Sequence, residues 1–205
     1  MPVRALQAEL INIFKNWGVP EWIKVDNGRP FGDPQRKNVP LLALWLIGLD
    51  IQVIWNHART PQQNAKVERS QGVLGNWTEY RKCRNDWELQ LRLWKEADFH
   101  NHHFPISRKK HKKRIELFPT LHYTGKDWNP KDFQLQRVLN FLAKGSWQRK
   151  ASKIGQISIQ NKRYSVGIAY KEQEINFKLC AIQNHWLFFD SKGNLIKSMP
   201  TRISK

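Results

Sequence analysis

Leu6, Leu10, Ile13, Phe14 and Trp17 recur at helical spacing near the start of the chain, and Gly18 and Pro20 end the pattern. An amphipathic helix over residues 3 to 17 is predicted. Trp22 to Val25 reads as a short buried strand that delivers Asp26 at its end. Pro40 opens a second, nearly all-apolar helix that stops near Gly48, and residues 51 to 55 form a second strand. Helix alternating with strand is the pattern of an α/β sheet with parallel neighbours.

Thr60-Pro61-Gln62-Gln63 offers an N-cap residue, proline at the first helical position and glutamine three after the cap, so a helix opens there with Glu68 in its second turn. A further helix is expected from about Asp86, with Trp87, Leu91 and Trp94 on one stripe, ending near HNHHFP. RKKHKKR follows at 108 to 114, six of its seven positions Lys or Arg. Like-charged runs of this kind rarely pack.

From Gly155 the period changes to two: Ile157 and Ile159, a turn at Asn161-Lys162, then Tyr164 and Val166. Ile175, Phe177 and Leu179 alternate again, and 186 to 189 meets Leu195 and Ile196 across DSKGN. Short strands joined by tight turns predict a small antiparallel barrel. There is no internal repeat.

The 205 residues, 40% hydrophobic and 12% aromatic, can build one medium domain and a small one, which excludes a disordered tail. Lys and Arg number 35 against 17 Asp and Glu, a net charge of +18 that attracts a polyanion, with nucleic acid the leading partner. Residues 1 to 104 carry 14 basic and 11 acidic groups (+3), and residues 105 to 205 carry 21 and 6 (+15). Most phosphate contact is therefore expected from the second half. Cys83 and Cys180 stand apart with no zinc spacing, which fits a reduced compartment. The longest apolar run, 41 to 49, is far short of the roughly 20 residues that span a bilayer, and no signal-peptide pattern opens the chain. A cytoplasmic protein, nucleoid-associated when bound to DNA, is expected.

Asp26 taken alone reads as an Asx-type turn cap at Asp-Asn-Gly, and Glu68 alone as a solvated helix residue. Together they read differently, because functional groups in an α/β sheet gather at the carboxyl ends of strands. Paired carboxylates suit Mg²⁺, a hard ion that also binds substrate phosphate. Two such ions can activate a hydroxyl and stabilise the leaving oxygen in an in-line attack on a phosphodiester.

VDNGRPFG followed by TPQQNAKVERSQG resembles the second and third acidic motifs of DDE transposases and retroviral-type integrases, and residues 3 to about 84 follow that family's element order. The resemblance implies that Asp26 and Glu68 are catalytic and hold Mg²⁺ (or Mn²⁺) in an RNase H-like core. It implies that Asn64, Lys66 and Arg69 lie near bound DNA, although all three can equally face water. The family's first acid belongs on a strand upstream of this chain's start, and Glu9 and Glu21 are misplaced to replace it. The expected fold class is thus α/β: a truncated RNase H-like core lacking its first strands (1–104), a basic connector with a helical segment (105–150), and a small all-β, SH3-like barrel (151–205) similar to the DNA-binding barrels of integrases and Mu-like transposases. The expected function is metal-dependent strand transfer on double-stranded transposon-end and target DNA. It needs the missing segment and a multimer of this chain or of a full-length transposase. The alternative is a non-catalytic DNA-binding or regulatory fragment.

The edge beside Trp22 to Val25 would lack a partner strand, a liability in an apolar sheet. Arg108, Lys109, Lys110, Lys112, Lys113 and Arg114 can form a nuclear-localisation-like patch, a solvated linker or a DNA-tracking arm, and only the arm makes use of their place between core and barrel. His100, His102 and His103 read as a surface helix end, since the cysteines of an integrase-type zinc module are absent there. The ten tryptophans read as core, with Trp128 and Trp147 the candidates for stacking on bases.

Overall fold

The computed structural model describes residues 3–33, 38–57, 60, 62, 65–119 and 126–203, with Lys66 described in its backbone alone. It is a mixed α/β structure with two compact units. The first comprises Met1–Asn12, Pro20–Trp55 and Trp128–Lys205, and the second Ile13–Val19 and Asn56–Asp127. Helix α1 (Val3–Trp17) contributes to both. No helix among the described residues is long and apolar enough to cross a membrane.

In the first unit, β1 (Trp22–Val25) and β2 (Gln52–Trp55) pair in parallel, Val25 opposite Trp55, as the alternation predicts. The pair is less buried than expected: Val25 and Val53 are enclosed, while Trp22 remains 55% exposed. Between them runs α2 (Leu41–Gly48), capped by Pro40. A helix apolar on all sides must be enclosed, and Leu42, Ala43, Leu44 and Leu46 are buried.

Much of that enclosure comes from far along the chain. The neighbour of α2 is α6 (Leu135–Ala143). There Leu135, Val138, Leu139 and Leu142 form an i, i+3, i+4, i+7 stripe. The stripe joins Leu44 to the core of the β-rich segment, which contains Ile157, Ile159, Tyr164, Ile175, Phe177, Leu179, Trp186 and Phe188. Polar ties reinforce the junction: Gln134 N–H donates to Gly48 O at 2.9 Å, and the Gln160 side-chain amide donates to Val39 O at 2.8 Å.

The β-rich segment is a four-stranded antiparallel sheet and a separate hairpin over a shared core, with no closed barrel. The sheet order is β3 (Ser146–Lys150), β6 (Glu174–Cys180), β7 (His185–Phe189), β8 (Leu195–Pro200). The hairpin is β4 (Gln156–Ile159) and β5 (Lys162–Ser165). Its turn centres on Gln160 and Asn161, both at positive φ as a two-residue type I′ turn requires, one residue earlier than predicted. The β7 to β8 turn is fixed by Asp190. Its carboxylate accepts N–H bonds from Lys192 and Asn194 at 2.9 and 2.8 Å, and hydrogen bonding from Asn194 foremost lowers its pKa.

Strand β3 lies within the segment read as connector. Trp147 faces Phe177 on the inner side of the sheet and meets Trp186 edge-on at 5.7 Å. Trp147 is therefore core, and Trp128 is half-buried with its ring 6.1 Å from that of Trp45. Trp147 packs into the core rather than standing ready to stack on a base, which corrects that assignment, and Trp128 is partly covered. The wider expectation of core tryptophans also needs correction: Trp17, Trp22, Trp87 and Trp94 are exposed and only Trp186 is fully enclosed.

The second unit is helical, with α3 (Ala65–Trp77), α4 (Asp86–His102) and the short α5 (Arg114–Leu117). Asn85 caps α4 by accepting Glu88 N–H at 2.9 Å. Trp77 is ringed by Phe99, His100 and Phe104, with centroids 5.0 to 6.0 Å away in edge-on geometry. The stripe read from Trp87, Leu91 and Trp94 does not face this cluster. Trp87 and Trp94 pair edge-on with each other at 5.8 Å, and each is more than half exposed.

Candidate functional site

Asp26 directly follows β1, and its carboxylate is exposed. Its Oδ1 accepts Gly28 N–H at 3.0 Å, the Asx turn that the Asp-Asn-Gly triplet encodes. The loop beyond is built around close backbone approaches. Gly32 N–H donates to Gly28 O at 2.8 Å, and a Cβ on Gly32 would lie 2.4 Å from the Asn27 carbonyl, so only glycine fits. Trp55, at the end of β2, clamps the same loop by donating its indole N–H to Phe31 O at 2.9 Å. The aspartate is thus held by a rigid turn with one oxygen bonded to an amide. A carboxylate has about four lone-pair sites, so the cap does not exhaust its capacity to ligate a cation.

Glu68 is exposed in the first turn of α3 as described from Ala65; Pro61 and Gln63 of the predicted cap lie outside the described residues. A negative side chain there interacts favourably with the positive end of the helix dipole. Arg69 beside it is also exposed. Asn64 lies outside the described residues, and the side chain of Lys66 is likewise not described. Asp26 belongs to the first unit and Glu68 to the second. Both offer the oxygen donors that Mg²⁺ or Mn²⁺ accepts.

The basic run is ordered, in contrast to the unpacked arm expected of it. Ile106 and Lys112 form an antiparallel bridge, Ile106 N–H donating to Lys112 O at 2.9 Å. Arg108 and Lys109 lie in a 3₁₀ turn (Ser107–Lys109), and Lys112 N–H donates to Lys109 O at 3.1 Å. Lys110 and His111, the central residues of that last turn, have φ of 54° and 60°. Positive φ at both centres is the type I′ signature, normally left to Asn and Gly, and other residues adopt it only with strain. What fixes the turn despite like charge is backbone bonding. The result is that Arg108, Lys109, Lys110 and Lys112 are exposed together on one pinned tip.

Two members of the run have other work. Lys113 caps α5, where Glu116 accepts its backbone N–H at 3.2 Å. Arg114 donates through Nη1 to His100 O at 2.7 Å, near the C-terminal end of α4, and is half-buried. Burial lowers its pKa. Arg114 therefore closes a helix end, and its assignment to the arm is corrected. Of the histidines, His102 and His103 end α4, with His102 Nδ1 2.9 Å from Asp98 Oδ1, while His100 is half-buried against Trp77 and Phe104 rather than at the surface.

Sequence reasoning expected phosphate contact from the second half but singled out no cation of the β-rich segment. Lys153, Arg163, Lys197 and Arg202 are exposed, and none takes part in an ion pair among the described residues. Their signal was present in the alternation, since Arg163 is outward when Ile157, Ile159 and Tyr164 are inward. Arg149 had the opposite fate. It packs over Phe177 at 5.8 Å, bonds Asn38 Oδ1 at 3.1 Å, and burial lowers its pKa.

Compared with protein-family models, the chain matches none.

Proposed function

We propose that this chain acts on DNA by metal-dependent phosphoryl transfer, as a part of a DDE-type transposase or integrase. The observation that carries the reading is the order of elements around the two acidic blocks. Asp26 stands after a parallel strand, a helix and a second parallel strand follow, and Glu68 opens the next long helix. The parallel pair is what supports an RNase H-like core, and the sheet and hairpin over one core support a small barrel-like DNA-binding module. The net charge of +18 supports a polyanionic substrate. In this reading Asp26 and Glu68 hold Mg²⁺ or Mn²⁺, which would supply Lewis-acid stabilisation of the phosphodiester and activation of the attacking hydroxyl. The chain's own basic residues position duplex DNA through phosphates with little base readout. The protein works in the cytoplasm on nucleoid DNA, as a multimer.

One observation favours a second reading. The Asx turn at Asp26 gives that carboxylate a structural role without any metal. A DNA-binding or regulatory protein without catalysis would keep the turn and the basic surfaces.

Nicking and joining of duplex DNA with Mg²⁺ or Mn²⁺ tests the choice, with the chain alone and with an added upstream segment that carries the family's first acid. Cation-dependent strand cleavage in either assay supports the enzyme. Binding without cleavage in both supports the second reading.

A further inference from the structure

A shallow groove of about 450 Å³ opens beside the β4–β5 hairpin, lined by Ser152, Lys153, Gln156, Ser158 and Arg163 together with the apolar Ile154 and Ile157. We propose that this groove docks the phosphodiester backbone of duplex DNA; the inference rests on the DNA-binding reading above and assigns it a surface.

Backbone hydrogen bonds shape the groove. One wall is the turn at residues 152–155, where Ser152 N–H donates to Gln156 O at 2.8 Å and Gly155 N–H donates to Ser152 O at 2.9 Å. Gly155 has a φ of +67°, and a Cβ there would lie 2.0 Å from Gly167 O, so the turn depends on glycine. Lys153 is exposed in this turn. The other wall is the outer face of the hairpin, where Ser158 and Arg163 are cross-strand partners while Ile157, Ile159 and Tyr164 are buried behind them. Lysine and arginine on facing walls, with hydroxyls from Ser152 and Ser158, supply the charge and the donors that phosphate oxygens accept.

Two more cations are tied to β5 itself. Arg202 donates from its backbone to Tyr164 Oη at 3.1 Å and through Nη1 to Arg163 O at 3.4 Å, its guanidinium 5.5 Å over the Tyr164 ring. Lys197 Nζ donates to Ser165 O at 3.1 Å. Lys153, Arg163, Lys197 and Arg202 form no ion pair among the described residues, so their charge is open to a polyanion. Glu172 is held beside the turn by its N–H to Ala151 O at 3.1 Å and sets a limit on the local charge.

The test is anisotropy of a fluorescent duplex against salt concentration, using the full chain. In the Lys153→Gln, Arg163→Gln variant the slope of log affinity against log salt should become shallower by about 1.8, or about 0.9 for each phosphate that is no longer neutralised. Arg163→Lys should keep the parent slope, and Glu172→Gln should tighten binding. Lys153→Gln alone, at an exposed turn position, provides the same test with half the change if the double variant fails to fold. A double variant with the parent slope overturns the groove. If Lys109→Gln, Lys112→Gln then loses the slope, DNA binding stands and lies on the pinned tip instead. A parent chain with no salt-dependent binding overturns both the groove and the DNA-binding reading.

Discussion

Arg137 of α6 reaches across to Gly48 at the end of α2, donating through Nη1 to the Gly48 carbonyl at 3.1 Å while the same nitrogen donates to Asp132 O at 2.8 Å. Its Nη2 lies 3.5 Å from Asp50 Oδ2. Two kinds of link are present, to carbonyls and to a carboxylate, and they differ in worth. Gly48 is buried at the end of α2, where a cation also meets the negative end of the helix dipole. The Asp50 carboxylate is mostly exposed, and a pair of that kind contributes little.

Arg137→Ala should therefore destabilise the protein by about 1–3 kcal/mol. Asp50→Asn should change stability by less than about 1 kcal/mol. Asparagine also tolerates the φ of 71° found at this position. Urea unfolding of the two variants checks the ranking, and equal losses would show that the ion pair, not the carbonyl contact, couples α6 to α2.

His100 predicts a pH dependence. It stacks near Phe104 and edge-on to Trp77, and burial, followed by the nearby charge of Arg114, lowers its pKa below 6.5. The unfolded chain then binds the proton more readily than the folded one. Stability is full above the unfolded value near 6.5, falls as pH drops through it, and levels off below the folded pKa. Thermal melting between about pH 7.5 and 5 should show this loss, and His100→Phe should flatten that part of the profile. A profile unchanged by the substitution would place the dependence elsewhere.

Where the sequence was legible, one physical rule dominated each element. Period 3.6 placed α1, the punctuation of Pro40 and Gly48 placed α2, and period two with tight turns placed β4 to β8. Strand β3 was illegible because Ser146, Gln148, Arg149 and Lys150 are polar; only pairing with β6 makes Trp147 and Arg149 an inward row. Basic side chains were the least legible of all. Arg108 and Arg114 look alike in RKKHKKR, yet one is exposed on a turn and the other closes a helix end. Charge tells what a surface attracts, and tertiary packing decides which charges are on that surface.

The same ambiguity between structure and function concentrates at Asp26, and two substitutions separate its roles. Asparagine retains an Oδ1 that accepts Gly28 N–H, so Asp26→Asn should keep the Asx turn and stability within about 0.5 kcal/mol of the parent. Alanine removes the acceptor, and Asp26→Ala should cost about 1 kcal/mol. Both lose the negative charge that a hard divalent cation requires of its ligands. If Asp26 is a metal ligand, both variants should abolish Mg²⁺- or Mn²⁺-dependent strand cleavage and weaken Mn²⁺ binding, which calorimetry reads without any turnover. Duplex DNA binding should survive in both, because the basic surfaces proposed to contact phosphate lie elsewhere. Should Asp26→Asn retain the parent's Mn²⁺ affinity and cleavage while Asp26→Ala loses only stability, the aspartate is a turn cap, and the protein's chemistry must be sought from other groups.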